Sequence, residues 1–327
     1  MAWTLDLHIR RWPLKEPFAT SRGARSEAVT LVASLTDEAG RRGRGEACGV
    51  TYAGETPESM LAEIEAVRPA IEAGISRDEL LTRLPAGGAR CAIDAALWDL
   101  EAKQSGRTAF EAAGCTPRAV QTAFTIGIRS LEAYRDIAAA YRNFPLLKVK
   151  VDGADSITAV EAVREGAPRS ALIVDPNQSW TVSDLQRFAP RLAGLGAVLI
   201  EQPLRVGDEP GLEAYACPVR LCADELINGP EDLARARGRF QVINIKLDKA
   251  GGLTAALSLA RAARAQGFAL MVGCMGGSSL SMAPAMILAQ QCAYVDLDGP
   301  LLQAEDWPDG LRYADGVVSS PAPAFWG

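Results

Sequence analysis

The chain of 327 residues contains a single histidine, His8, and its seven cysteines never form a C-x-x-C pair. His8 lies in an alternating, strand-like stretch, where such a residue is usually structural. This scarcity excludes Ser-His-Asp triads, metal sites built on two or three histidines and a histidine general base in the larger domain. The scattered, odd-numbered cysteines indicate neither a disulfide framework nor a zinc knuckle.

The sequence also lacks any block of basic residues and any apolar run of membrane-spanning length. Acidic residues number 40 and basic residues 34, for a net charge of -6. We therefore expect neither nucleic acid nor a membrane as a partner. The N-terminus has no basic region followed by an apolar core, so a soluble, cytoplasmic protein is expected.

Residues 1–118 predict an α+β domain in which strands come first and helices follow. Alternating segments predict antiparallel strands near residues 3–10, 28–37 and 43–49, with a loop at 18–25 after the first. Helices are expected from Pro57, with Thr56 as N-cap, and over 89–104.

From about residue 119, short apolar strands alternate with amphipathic helices up to residue 304. Eight strands end roughly 22 to 27 residues apart, near Gly127, Lys150, Asp175, Glu201, Asp224, Lys246, Gly273 and Asp296. This period predicts an α/β fold in which parallel strands close into a TIM-like barrel over residues 119–304. A doubly wound open sheet is the alternative, but no G-x-G-x-x-G or phosphate-binding loop follows any strand. The tail, residues 305–327, is expected to pack back on the N-terminal domain.

Three consecutive strands run from apolar residues directly into a carboxylate, at Asp175, Glu201 and Asp224. The carboxyl ends of barrel strands meet at one mouth, where barrel enzymes have their active sites. Three unpaired acids there would repel one another and be costly to bury, and Mg²⁺ removes that cost. The alternative is that each acid pairs with a nearby cation or caps the next helix.

Lysines end two other strands of the ring. Lys148 and Lys150 stand two apart on the second strand and so share a face, and Lys246 ends the sixth. Four steps apart in an eight-stranded ring is diametrically opposite, so a substrate carbon at the centre would meet one amine on each face. A Lys-x-Lys strand is also typical of a protected sheet edge, but a closed barrel has no edge.

Two amines beside a dication suit the removal of a hydrogen α to a carboxylate. The resulting enediolate must be stabilised, which a bound dication does as a Lewis acid. A lysine base must be neutral, and we expect Lys148, burial and the metal to lower the pKa of Lys150. Taking the proton with one lysine and returning one from the other inverts the centre.

These residues, followed by Gly251 and Gly252, resemble the enolase superfamily, muconate-lactonizing subgroup, over nearly the whole chain. The resemblance implies a (β/α)₇β barrel with an N-terminal α+β capping domain. It implies Lys150 and Lys246 as the acid/base pair, with Lys148 as support. It also implies one Mg²⁺ per subunit, held by Asp175, Glu201 and Asp224. The histidine-dependent mandelate-racemase-like subgroup does not fit, because no histidine lies in the barrel.

Asp296 and Asp298 end the eighth strand and share a face, opposite the strand of Glu201. A ligand whose carboxylate binds the metal would present its far end to them, and an α-ammonium group suits that place. A helix cap or turn is the alternative role. The pair resembles the dipeptide epimerases of the superfamily, above all the L-Ala-D/L-Glu epimerases of murein-peptide recycling. The likeness rests on Trp12-Pro13, Arg22-Gly-x-Arg25-Ser-Glu27, Asn244-Ile-Lys-Leu-Asp-Lys249 and Asp296-Leu-Asp-Gly-Pro300.

Within the loop 18–25, Arg25 matches the arginine that binds the glutamate side chain in those enzymes, and Arg22 is a second candidate. A guanidinium matches a carboxylate bidentately. The alternative is that both are solvated loop charges. The stretches 276–279 and 175–178, expected to line the pocket, depart from the Ala-Glu pattern and leave another dipeptide open.

Our hypothesis from the sequence is therefore a Mg²⁺-dependent isomerase that epimerises the C-terminal residue of a dipeptide, such as L-Ala-L-Glu. The alternatives within the subgroup are a cycloisomerase, an o-succinylbenzoate synthase and an N-acylamino acid racemase, whose substrates lack the ammonium group. An alternative of another class is a non-catalytic, metal-stabilised binding barrel. The oligomeric state is left open, a homo-oligomer included.

Overall fold

The computed structural model describes residues 3–327. Its N-terminal part is a three-stranded antiparallel sheet covered by helices. The elements are β1 (Thr4–Thr20), β2 (Gly23–Thr36), β3 (Arg42–Ala47), α1 (Pro57–Glu72), α2 (Arg77–Arg83), α3 (Gly88–Ser105) and α4 (Ala109–Ala112). Thr56 and Ser59 form a reciprocal capping box at the start of α1, and Gly106 ends α3 in the left-handed conformation. Local capping chemistry thus sets both helix boundaries.

The β1–β2 hairpin differs from the expected loop at 18–25. Both strands continue to a tight turn at Thr20–Gly23, with Phe18 paired to Arg25. The register shifts between Pro13 and Phe18, where a bulge bends the hairpin. The arginine-bearing segment is therefore a strand tip whose position is fixed by its pairing.

The barrel is an eight-stranded parallel sheet in chain order. A short strand, β4 (Val120–Gln121), precedes its strands β5 (Phe124–Ile126), β6 (Leu146–Lys150), β7 (Ala171–Asp175), β8 (Ala197–Glu201), β9 (Arg220–Ala223), β10 (Val242–Lys246), β11 (Ala269–Gly273) and β12 (Tyr294–Val295). The Ala123 N–H donates to the carbonyl of Val295 at 2.8 Å, which joins the last strand to the first. The predicted strand ends agree with these bounds within about two residues.

Helices lie in the connections between the barrel strands, and the last helix follows β12. They are α5 (Leu131–Ala140), α6 (Ser156–Gly166), α7 (Val182–Gly194), α8 (Leu233–Ala236), α9 (Leu247–Ala250), α10 (Leu253–Ala265), α11 (Ser279–Ala289) and α12 (Gly299–Leu302). Between β8 and β9 the chain forms only a 3₁₀ turn at Glu209–Leu212, because Pro210 and Gly211 do not sustain a helix interior. Within residues 3–327, no helix has the length and apolar composition needed to cross a bilayer.

The tail contacts both halves of the molecule. Its hairpin, β13 (Tyr313–Ala314) and β14 (Val317–Val318), pairs with β4. Farther on, the indole N–H of Trp326 donates to the carbonyl of Arg44 at 3.1 Å, and the Gly327 N–H donates to Asp99 at 2.7 Å. Hydrogen bonds therefore tie the last residues to β3 and α3.

Candidate active site

A cavity of about 410 Å³ opens where the carboxyl ends of the barrel strands face the tip of the β1–β2 hairpin. Residues from both parts of the chain line it, and most of their side chains are charged or polar. They include Arg22, Arg25, Tyr52, Thr125, Lys148, Lys150, Asn177, Lys246, Gly276, Asp296 and Asp298. Nearly every residue singled out from the sequence thus reaches one site, although the three strand-end carboxylates are absent from its wall.

The lysines are buried and reach the cavity from opposite strands. Lys148 and Lys150 lie on β6 and Lys246 ends β10, with 2 %, 8 % and 6 % of their surfaces exposed. Three strands separate β6 from β10 on either side of the ring. Since β6 is hydrogen-bonded to neighbours on both sides, its lysines are not edge-protecting charges.

Asp175, Glu201 and Asp224 lie behind the lysines and are fully buried. The ammonium group of Lys148 lies 3.1 Å from Asp175 and 2.8 Å from Glu201. Lys150 donates to Asp175 at 2.5 Å and Lys246 to Asp224 at 2.7 Å. The lysine ammonium groups therefore stand between these carboxylates and the cavity.

The three strand-end carboxylates supply oxygen donors of the kind that a hard metal ion binds. Within residues 3–327, no three histidine, cysteine or carboxylate side chains hold an arrangement ready for a metal as it stands. Nevertheless, Glu201 Oε2 and Asp224 Oδ1 are buried without a hydrogen bond. Each lies within 2.8 Å of a lysine nitrogen, but without hydrogen-bonding angles. Buried carboxylate oxygens with unused lone pairs fit a hard cation such as Mg²⁺.

Burial and the neighbouring charges shift the pKa values of the three acids in different directions. Burial raises the pKa of Glu201 to about 7, and the charge of Asp175 adds to that rise. For Asp175, the burial effect is outweighed by Lys150 and Lys148, which hold its pKa at about 2. Lys246 and Lys249 likewise hold the pKa of Asp224 well below its usual range. Glu201 is therefore the acid whose charge is least compensated.

The pKa values of Lys148 and Lys246 are set by burial and by the carboxylates that face them. Burial lowers the pKa of each, but the carboxylates outweigh it, Asp296 foremost for Lys148 and Asp224 for Lys246. Both pKa values are consequently raised. These ion pairs form between different strands, so spacing along one strand does not reveal them.

Asp296 and Asp298 share the wall next to β5. Asp296 accepts from Lys148 at 2.8 Å and from the Thr125 hydroxyl at 3.0 Å, while Asp298 accepts from the Thr125 N–H at 2.5 Å. Burial and the charge of Asp296 raise the pKa of Asp298 to about 7. Asp298 occupies the N-cap position of α12 without a side-chain capping bond, so its carboxylate serves the cavity wall instead.

The two arginines of the hairpin tip have different partners. Arg22 forms an ion pair with the buried Glu225 and lies over the Tyr52 ring, 4.5 Å from its centroid. Arg25 donates from both terminal nitrogens to the carbonyl of Met275 at 3.3 Å. Within residues 3–327, no carboxylate pairs with Arg25 at salt-bridge distance, whereas the charge of Arg22 is already compensated.

Several residues of the site have no clear sequence signal. Tyr52 follows the capping sheet, and its hydroxyl is buried without a partner. Asn244, two residues before Lys246 and on the same face of β10, donates to Glu201 at 2.8 Å. Of the stretches expected to line the pocket, Asn177 and Gly276 do so, but Ser278 and Ser279 turn away to Glu46 and Asp306. Of the two residues Tyr52 and Asn244, only Asn244 follows from the spacing along a strand, since it shares a face with Lys246.

Comparison with known proteins identifies the family. Residues 4–111 match the mandelate racemase / muconate lactonizing enzyme N-terminal domain. Residues 132–323 match the enolase C-terminal domain-like family. The chain therefore belongs to the mandelate racemase / muconate lactonizing enzyme family of the enolase superfamily, and its barrel with an N-terminal capping domain is the architecture of that superfamily.

Among similar proteins, the L-Ala-D/L-Glu epimerase of Escherichia coli K12 is 40% identical over 96% of this chain and 99% of its own length. An N-acetyl-D-glutamate racemase of a Pseudoalteromonas species is 47% identical, over 76% of this chain and 79% of its own. An Agrobacterium tumefaciens enolase family member with homology to dipeptide epimerases, solved with sodium and L-Ala-L-Glu, superimposes with a TM-score of 0.97 at 41% identity. That superposition covers 99% of this chain and 100% of the other. Other similar dipeptide epimerases have been solved with Mg²⁺ and a dipeptide.

Proposed function

We propose that this protein is an isomerase that epimerises the C-terminal residue of a dipeptide. The observation that carries the proposal is the pair Lys150 and Lys246, which reach one cavity from opposite strands of the barrel. Epimerisation requires a proton to leave one face of a carbon and another to arrive on the opposite face. Two amines across a cavity meet that requirement.

Asp175, Glu201 and Asp224 would hold Mg²⁺, in competition with the lysines that now contact them. When bound there, Mg²⁺ supplies Lewis-acid stabilisation of the negative charge that grows on the substrate carboxylate as the α-proton leaves. Asp224 is the carboxylate that raises the pKa of Lys246, so its engagement with the metal would leave Lys246 with a weaker counter-ion. A more readily neutral lysine is a more effective base.

The proton transfer balances within the two lysines. One of them, as the neutral amine, accepts the α-hydrogen as a proton, while the C–H electron pair stays on the substrate. The other, as the ammonium ion, then donates a proton to the opposite face of the same carbon. Each lysine finishes in the state in which the other began, so the reverse reaction uses the same groups with their roles exchanged.

Substrate recognition follows from the charges around the cavity. Asp296 and Asp298 form an acidic wall that suits the terminal ammonium group of a dipeptide. Arg25 lacks a carboxylate partner within residues 3–327 and suits an anionic side chain. Arg22 is committed to Glu225, so we assign the side-chain contact to Arg25. A dipeptide such as L-Ala-L-Glu carries an ammonium group for the acidic wall and a side-chain carboxylate for Arg25.

A second candidate is the racemisation of an N-acylated glutamate. It is favoured by the similarity to the N-acetyl-D-glutamate racemase. The two candidates share the lysines, the metal and the anionic side chain. The nitrogen of the epimerised residue is acylated in both substrates, and they differ in the acyl group, because the alanyl group of the dipeptide carries an ammonium group and the acetyl group does not. The acidic wall favours the dipeptide, because an acetyl group offers no charge to two carboxylates.

The test is solvent-deuterium exchange at the α-carbon, with Mg²⁺ present, over a panel of dipeptides and N-acetyl amino acids. Wild-type protein should exchange and invert L-Ala-L-Glu, and prefer acidic to apolar residues at the epimerised position. Asp296→Asn should slow dipeptide turnover more than that of N-acetylglutamate. Exchange of N-acetylglutamate alone would replace the dipeptide with the second candidate, and no exchange with any compound would refute both.

We further propose a cytoplasmic location, supported by seven cysteines that are all free thiols. A role in recycling murein peptides would follow from an Ala-Glu substrate.

A further inference from the structure

Lys246 is followed without a loop by a compact segment that the capping domain touches. The segment comprises α9 and two glycines, Gly251 and Gly252, whose N–H groups donate to the carbonyl of Leu247 at 2.8 and 2.9 Å. Its Lys249 contacts Asp224 at 2.7 Å and the carbonyl of Ile227 at 3.0 Å. This segment therefore continues directly from Lys246 and carries a counter-charge to Asp224.

Arg90 of the capping helix α3 holds the carboxyl end of α9. Its guanidinium donates to the carbonyls of Gly251 at 2.9 Å and Ala250 at 2.8 Å. A third bond, of 3.2 Å to the carbonyl of Leu84, anchors the side chain in its own domain. The carbonyls at a helix end lack partners within the helix and carry partial negative charge, which a guanidinium satisfies.

Asp94, one turn farther along α3, caps the next helix, α10. The N-cap residue of α10 is Gly252, which has no side chain to accept a hydrogen bond. Asp94 takes its place, accepting from the Thr254 N–H at 3.0 Å and from the Thr254 hydroxyl at 2.5 Å. The capping interaction that a serine or aspartate normally makes within its own helix is thus made between domains.

The two glycines are the positions at which these side chains approach the backbone. A Cβ on Gly251 would lie 2.5 Å from the guanidinium of Arg90, and one on Gly252 would lie 2.5 Å from Asp94. Both glycines also have left-handed backbone angles, with φ of 76° and 113°. Any side chain there would displace either the segment or α3, because neither contact leaves room for a methyl group.

We propose that Arg90 and Asp94 are positioning residues of the capping domain that place Lys246 on its face of the substrate. This inference rests on the proposed two-lysine reaction. Lys150 is held differently: its carbonyl accepts from the Tyr134 hydroxyl at 2.6 Å, and its ammonium group pairs with Asp175, both within the barrel. Loosening the Arg90–Asp94 contact should therefore impair one face of the reaction and spare the other.

The experiment compares α-hydrogen exchange in D₂O for L-Ala-L-Glu and L-Ala-D-Glu as separate substrates, with Mg²⁺ present. Lys246→Ala first identifies the epimer that depends on Lys246, as the one whose exchange is lost. Asp94→Asn should then slow exchange of that epimer roughly tenfold or more, because small misplacements of a catalytic group have effects of this size. The other epimer should keep its rate within about twofold.

Asp99→Asn is the matched control. Asp99 is a buried carboxylate on the same helix, but it accepts from Arg44, Lys103 and Gly327, away from the Lys246 segment. The Asp99→Asn substitution should change the exchange rates of both epimers by the same factor, or change neither. An unchanged ratio of the two exchange rates in Asp94→Asn would overturn the proposal, since general destabilisation acts on both faces.

Amide hydrogen exchange gives a readout that does not need activity. In Asp94→Asn, peptides covering residues 246–254 should exchange faster than in wild type, while those covering 146–151 should not. If wild-type protein turned over no dipeptide, the proposed function would fail, yet the amide exchange would still decide whether Asp94 holds the segment. Equal protection of residues 246–254 in both proteins would refute that hold.

Discussion

The lysines of β6 and the lysine of β10 are held in place by different parts of the molecule. On β6, Lys148 and Lys150 project side by side from a continuous strand, and their partners are barrel residues. On β10, Lys246 is the last strand residue, and Lys249 follows on a one-turn helix that α3 of the capping domain holds through Arg90. One side of the site is thus built by the barrel alone and the other by both domains.

This difference bears on what the capping domain does. Its hairpin tip covers the cavity with Arg22 and Arg25. Its helix α3 contacts the segment that follows Lys246, through the carbonyl of Gly251. A substitution in the capping domain can therefore affect the chemistry without touching the cavity. The β6 side should be insensitive to such changes, because its hydrogen bonds lie within the barrel.

The largest effect should come from removing either lysine. Lys150→Ala and Lys246→Ala should each lower net epimerisation roughly 10³- to 10⁴-fold, since each loses one general acid/base. Each variant should still exchange the α-hydrogen of the epimer served by the remaining lysine, and the two variants should retain opposite epimers. NMR of both epimers in D₂O measures this. If both variants exchanged the α-hydrogen of the same epimer, the two lysines would not act on opposite faces of the substrate carbon.

A smaller effect should come from replacing Glu201, the carboxylate on β8 between the strands β6 and β10. Glu201→Gln should lower turnover roughly 10²- to 10³-fold, because metal ions contribute several kcal/mol of charge stabilisation. Mg²⁺ should raise the Tm of the wild type, by an amount equivalent to about 2.7 kcal/mol at a hundred times Kd, and raise that of the variant less.

Glu209→Gln is the control for that measurement. Glu209 is also a buried, ion-paired carboxylate, but its partner Arg235 lies outside the cavity wall. This variant should lose stability and keep the full Mg²⁺-dependent rise in Tm. An equal rise in wild type and Glu201→Gln would contradict the assignment of Glu201 as a metal ligand.

The smallest effect should be a pH dependence of the free energy of unfolding, caused by Asp94 at the contact between α3 and α10. Burial raises the pKa of Asp94 to about 6, against the hydrogen bonds of Thr254 and the charge of Arg77, which lower it. The folded protein therefore retains a proton that the unfolded chain releases near pH 4, and the stability from this group declines as pH rises through about 6. A shift of about two units corresponds to ~3 kcal/mol.

Asp94→Asn lacks this titration, so its stability relative to wild type should improve by up to ~3 kcal/mol between pH 4 and pH 7. Urea unfolding of both proteins across that range measures the difference. A difference in stability that stayed constant with pH would show that Asp94 has an ordinary pKa. The contact between α3 and α10 would then be more exposed to solvent than in this structure.

Much of the barrel could be predicted because its signals are local. Short apolar runs ending in Lys150, Asp175, Glu201 or Lys246 gave the strand ends, and the ring topology then set β6 opposite β10. The β1–β2 hairpin was predicted less well, since its extension to Thr20 depends on pairing with β2 across a bulge. The roles of the site residues stay predictions until the variants are measured.

By itself, the sequence determined the eight-strand period and the side chains at the strand ends, because alternation and spacing along a strand decide which residues share a face. Only the tertiary structure decided which charges meet. Arg22 pairs with Glu225, while Arg25 has no carboxylate partner among residues 3–327, and Asp94 caps a helix at Thr254, 160 residues away. Such contacts depend on how the capping domain packs on the barrel, and no local pattern in the chain encodes that packing.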